Sequence, residues 1–302
     1  MRLSVMVLGF VCLCAVVIGI AAPRIQEDDV RGAFLTSRPK EKKATSGSAT
    51  KPSRRRPKQT VNPTTTAKPA EKPTAKPSPS NPPTSSEAVK PVNVARMGIG
   101  LTLFMRDSNG MAVRTDPDYV FHKGDRVRVL LETNADGYLY IFNTTNNGRA
   151  TMIYPDAALD EGGNYLQAHV PFEIPSSLAG EERLRWFAFD DVAGTEHLFF
   201  VFTREPLKGV PLEDELIAFC GKAKENCPIK PSTELWAAIQ TETQEPLKID
   251  KTQRYGTTET QVEQQATTRG LGLAKDDPQP SLVMMASSPR PIVVAALELI
   301  HQ

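Results

Sequence analysis

From Thr36 to Lys90 the chain carries no aromatic residue, and Val61 and Val89 are its only large aliphatics. A stretch built of Pro, Lys, Thr, Ser and Ala cannot bury enough apolar surface to offset the entropy of ordering it. We therefore expect a disordered, polyproline-leaning linker over residues 22–92, with any folded body after it. Thirteen Lys and Arg stand against three Glu between residues 36 and 90, a balance of +10. Residues 1–35 are neutral and the whole chain is +1, so residues 91–302 carry −9. The reading is a basic arm joined to an acidic body. Fully extended at ~3.1 Å per residue, the arm would reach on the order of 170 Å, the length of a tether.

Leu3 to Pro23 holds no charge, and Arg2 precedes a run that includes Val7, Leu8, Phe10, Val11, Leu13, Val16, Val17, Ile18 and Ile20. This is the pattern of a signal peptide or an N-terminal membrane anchor over residues 1–21. Gly19 and Ala21 are small residues suited to a cut before Ala22, and the expected compartment is the periplasm or the cell surface. Cys12 and Cys14 fall inside the apolar run. The other two cysteines, Cys220 and Cys227, are close in sequence, have no CxxC spacing and no nearby His. In an oxidising compartment the expectation is a disulfide; a metal pair lacks the necessary ligands.

From Val94 onward short β-type runs alternate with turn signals. Strands are expected at Gly100–Asp107, Asp125–Glu132, Tyr138–Asn143, Ala150–Tyr154, Tyr165–Ile174, Arg183–Phe189 and His197–Thr203. In Asp125–Glu132 only one alternating set is apolar, whereas in YLYIFN both sets are, as in a central strand covered on two sides. Asp136–Gly137 and Asn147–Gly148 are the turns, and the three strands they join read as an antiparallel meander. The fold class is mainly β, an antiparallel, immunoglobulin-like β-sandwich over 93–207 with a small helical insertion. Helices are expected over Pro211–Phe219 and after Ser232, within 208–245. Residues 246–280 read as a polar loop, and 281–302 as C-terminal strands that return to the sheet.

Several blocks resemble one family. Gly124-Asp125-Arg126-Val127-Arg128, Asp136-Gly137-Tyr138-Leu139-Tyr140-Ile141-Phe142-Asn143, Gly148, Tyr154-Pro155, Val170-Pro171 and Arg204-Glu205-Pro206-Leu207 are similar to the domain-of-unknown-function 4384 family of bacterial envelope and signalling proteins. The resemblance implies a compact, mostly β domain with no assigned activity.

Chemical motifs are sparse. There is no GxSxG, and His122, His169, His197 and His301 have no supporting pattern for a hydrolase. Gly98-Ile99-Gly100 and Gly270-Leu271-Gly272 lack the remaining elements of a nucleotide loop. The acidic pairs Asp116/Asp118, Asp160/Glu161 and Asp190/Asp191 could attract Ca²⁺, but no full ligand loop surrounds them, so solvated turns are the preferred reading. Tyr138, Tyr140 and Phe142 are read as core before any role in stacking on sugars. No catalytic residue, metal or cofactor is assigned. The functional expectation is an exported, non-catalytic envelope protein that binds a protein or glycan partner. Its basic arm would contact anionic membrane or cell-wall polymer, and nucleic acid is excluded by export. Two alternatives are an enzyme or accessory subunit with an unrecognised acidic site, and a TonB-like adaptor suggested by the Lys-Pro repeats at Ala67–Pro77.

Overall fold

The computed structural model describes residues 29–41, 53–56, 96–222 and 227–302. The apolar segment with Cys12 and Cys14, and most of the arm, lie outside the described residues. Among the described residues no helix is long and apolar enough to cross a membrane.

Twelve strands form two antiparallel sheets among these residues. The first sheet contains β1 (Gly98–Arg106), β2 (Ala112–Arg114), β3 (Arg126–Thr133), β7 (Phe172–Ile174), β8 (Phe187–Ala188), β10 (Leu247–Lys251) and β11 (Leu282–Ala286). Its order is β10-β11-β1-β3-β7, with β2 added to β1 and β8 to β3. The second contains β4 (Gly137–Thr145), β5 (Thr151–Tyr154), β6 (Tyr165–Leu166), β9 (Gly194–Thr203) and β12 (Ile292–His301). Its order is β12-β9-β4-β5, with β6 on β4.

Between the sheets lies one apolar core. Ile99, Leu101 and Leu103 alternate inward on β1, Val127, Val129 and Leu131 on β3, and they meet Leu139, Ile141, Phe200, Phe202, Val293 and Ala295 of the second sheet. The other face of β4 is also buried. Tyr138, Tyr140 and Phe142 pack with Val201, Val294 and Ile239, the last from helix α3 (Thr233–Thr243). The two-sided apolar pattern of YLYIFN thus has the expected cause. The β-sandwich is the observed fold, and the C-terminal strands complete it: β12 pairs with β9 over its whole length, from Ile292 opposite Thr203 to His301 opposite Gly194.

Several local expectations are corrected. β3 and β4 are not neighbours in a meander; the chain crosses from one sheet to the other at Asn134–Asp136, because alternation dictates which face is buried but not which strand lies alongside. The expected strand Tyr165–Ile174 is interrupted, with His169 at φ 58° between β6 and β7. In Arg183–Phe189 the chain first makes a 3-10 turn over Glu182–Arg185, and only Phe187–Ala188 pairs. Residues 246–280 are not a loop. They supply β10 and helix α4 (Gln261–Arg269), whose start is a capping box between Thr260 and Glu263. The polar composition concealed this helix because its buried side chains are only Glu263 and Ala266.

Two parts of the arm depart from the disorder expected there. Helix α1 (Val30–Leu35) lays Phe34 and Leu35 on Val283 and Met285 of β11. Arg38 follows it into the body with all five guanidinium N–H groups bonded, to both Glu132 oxygens at 2.7 and 2.5 Å and to the carbonyls of Ala274, Asp277 and Pro278. Ser53–Arg56 docks separately. Composition gave no sign of either contact, since each depends on acids and rings supplied by the distant body.

Candidate functional site

Among the described residues, a cleft of about 1060 Å³ opens where β4 begins and β9 ends. Asp136 and Tyr138 enter it from the start of β4, Tyr165 from β6, and Arg204, Glu205 and Pro206 from the segment after β9. The opposite wall is the first turn of helix α2 (Glu213–Lys222), with Glu213, Asp214 and Glu215. Helix N-termini favour such acids through the macrodipole. At the other end of α2, Cys220 is bonded to Cys227 as expected.

Asp136 organises this wall. Its carboxylate accepts the Tyr165 hydroxyl at 3.2 Å and the Ala168 N–H at 2.8 Å, and the Tyr138 and Tyr165 rings meet edge to face at 5.3 Å. Gly137 is demanded by close approach, because a Cβ there would lie 2.4 Å from the Thr203 carbonyl oxygen. Burial pushes the Tyr138 and Tyr165 hydroxyls above the ordinary tyrosine value.

Arg55 and Arg56 of the arm line this cleft beside its acids. Arg55 donates from Nε to Glu161 at 2.7 Å and from both terminal nitrogens to Asp214 at 2.8 and 3.3 Å. Its hydrogen bonds to the Asp214 and Glu161 carboxylates raise its pKa. The Arg56 N–H donates to Glu213 at 2.5 Å, and its guanidinium stands 6.0 Å from the Tyr138 ring centroid. Arg54 is buried beside the cleft, 5.2 Å over Phe172, with one N–H on the Pro171 carbonyl. Burial lowers its pKa.

Residues 120–206 match the family model described as Domain of unknown function (DUF4384). No curated protein and no solved structure matches the chain. Within the DUF4384 segment the blocks singled out by sequence divide in space. Asp136, Tyr138 and Pro206 converge on the cleft, and Tyr140 supports it from below by accepting the Leu207 N–H at 2.9 Å. The others are structural. Gly124 and Asp125 shape the entry to β3, where the Asp125 carboxylate accepts the His122 N–H at 2.9 Å. Phe142 is core against Trp236, Gly148 closes the β4–β5 turn onto the Thr145 carbonyl, and Pro155 follows β5.

The acidic pairs serve cations of the chain itself. Asp116 and Asp118 hold Lys251 at 2.8 and 2.6 Å, Glu161 holds Arg55, and Asp191 holds Lys123 at 2.8 Å. Among the described residues no group of three or more His, Cys, Asp or Glu is gathered as for a metal ion.

One arrangement escaped the sequence reading. His169 receives Ser37 Oγ at 2.7 Å on Nε2 and faces Glu132 at 2.6 Å through Nδ1, an order shared with hydroxyl–imidazole–carboxylate catalysts. Its surroundings oppose that chemistry. Ser37 Oγ also lies against the Phe34 and Asn134 carbonyls, at 3.2 and 3.4 Å, which would repel a developing oxyanion where donors are required. Neither Ser37 nor His169 lines the cleft. The array instead clasps the arm to β3. Ser37 and His169 are too far apart in sequence for any local pattern to reveal it.

Proposed function

We propose that the protein is an exported, non-catalytic binding module of the cell envelope, and that it holds its partner in the cleft of the DUF4384 segment. One observation carries the reading. Asp136, Tyr138 and Pro206, three residues of the family blocks, converge on a cleft that already engages a stretch of polypeptide through both main chain and side chains. Export is supported by the uncharged apolar segment at Leu3–Pro23 and by the Cys220–Cys227 disulfide.

An enzymatic alternative would need converging, perturbed carboxylates open to substrate. The nearest candidates are Glu173 and Glu259, which flank Arg128, and burial together with Glu173 raises the Glu259 pKa to about 8. All three side chains are buried, and Trp186 stacks on Arg128 at 4.4 Å. That inaccessibility favours the binding reading.

The test is affinity capture from an envelope extract with the full chain and its Tyr138→Ala and Asp136→Ala variants. Capture of a protein or glycan that both variants lose, at unchanged melting temperature, is the expected result. A partner retained equally by both variants would overturn the cleft as its site.

A further inference from the structure

We propose that the cleft recognises arginine-bearing peptide segments, and that Ser53–Arg56 is its occupant in cis, displaced when an arginine-rich segment of a partner protein binds. This rests on the reading of the cleft as the binding site.

The docked segment is held by the two kinds of contact that peptide recognition uses. Main-chain contacts come first: the Tyr165 N–H donates to the Arg54 carbonyl at 2.8 Å, and the Arg56 N–H donates to Glu213. Gly163 permits this approach, since a Cβ on it would stand 2.4 Å from the Arg54 oxygen. Such contacts accept any sequence. Selectivity comes from the side chains. Arg55 spreads its planar fork between Glu161 and Asp214, a geometry that a lysine ammonium cannot reproduce, and Arg54 fills a slot against Phe172 and the Pro171 carbonyl.

The acids of the site are set in unusual backbone. Asp160, Glu161 and Glu213 have φ of 49°, 57° and 53°, in the left-handed region that side chains disfavour. Three such residues around one ligand are the mark of a preorganised site. The same acids argue against an anionic lipid or polymer as occupant. The cis contact is also suited to exchange. Glu161 and Asp214 are 71% and 81% exposed, so their ion pairs with Arg55 are solvent-screened and weak.

The experiment uses a fluorescein-labelled peptide of residues 50–59 and a copy with lysine at positions 54–56, titrated by anisotropy against the full chain and its Arg54→Ala/Arg55→Ala/Arg56→Ala variant. The arginine peptide should bind the variant at least tenfold more tightly than the unmodified chain, and at least tenfold more tightly than the lysine peptide does. Adding Glu161→Gln and Asp214→Asn should reduce the gain and narrow the preference for arginine over lysine. Equal affinity for both peptides, or no binding to the folded triple-alanine variant, would overturn the proposal. Should that variant fail to fold, hydrogen exchange on the unmodified chain decides: excess arginine peptide should accelerate exchange at the Arg56 amide, and unchanged exchange refutes displacement. Loss of peptide binding with Tyr138-dependent partner capture intact would reject this inference alone; loss of both would reject the cleft as well.

Discussion

Arg128 has one positive charge to share between Glu173 at 3.4 Å and Glu259 at 3.0 Å, all within the covered face of the first sheet. Only one of the two carboxyls can ionise without leaving an unbalanced charge in a medium that solvates it poorly. Glu259 keeps its proton, with a pKa pushed from 4.5 to about 8 by burial and then by Glu173. The folded chain therefore binds a proton that the unfolded chain has released between those two values. The resulting stability is complete below pH 4.5 and is lost as pH rises through 8. Thermal melts between pH 5 and 9 should show a progressive loss on the order of 4 kcal/mol that Glu259→Gln removes. A pH slope identical in the variant would contradict the assignment. Glu132 behaves oppositely: burial pushes it up, but His169 and Arg38 outweigh burial and hold it below its ordinary value, so its contribution is present above pH 4.5 and fades under acid. Neither partner set lies near its carboxylate in sequence.

Among the elements, β12 shows how much a short apolar run decides. Val293, Ala295, Leu297 and Leu299 face the core between the sheets, and Val294 turns to the opposite face against Tyr140 and Ile239. Burying these side chains contributes on the order of 6 to 10 kcal/mol before entropy, comparable to the net stability of a domain. Deleting residues 288–302 should leave no soluble folded body, as read by circular dichroism and gel filtration. A truncated chain with an unchanged melting temperature would refute this. The run could be recognised as a strand because one alternating set is wholly apolar and Glu298 is the one charged residue of the other, whose Ala296 and Ile300 prove exposed; it needed cover that the polar 241–280 segment could not provide. β10 was hidden for the converse reason. Leu247–Lys251 has no buried residue, and it is a strand only because β11 offers it an edge.

At the scale of the molecule, the opposite charges of arm and body are joined at particular residues. Arg38 closes on Glu132 and the Arg54–Arg56 triplet on the acids of the cleft, so the described parts of the arm, residues 29–41 and 53–56, are held against the body. Residues 24–28 alone separate Pro23 from the docked Asp29, and covalent geometry limits them to about 18 Å. Trypsin should consequently cut the bond after Arg54 only as fast as the arm undocks, although composition alone marks it as an exposed cleavage site. Cleavage at that bond as fast as in a free peptide of residues 50–59, located by mass spectrometry, would show that the docked arm is not the state in solution.

The sequence by itself determined the β class, the two-sided burial of YLYIFN, the return of the last strand and the cysteine pair. Each is encoded in a local period or a short separation, which one-dimensional patterning records. It also drew attention to Asp136, Tyr138 and Pro206 without showing that they share a cleft. Only the tertiary structure decided which sheet each strand joins, where Arg38 and Arg54 are buried, and that Ser37, His169 and Glu132 meet. Those outcomes depend on partners brought close by the fold from far along the chain, and an arginine's sequence neighbourhood does not reveal whether water or a distant carboxylate will receive it.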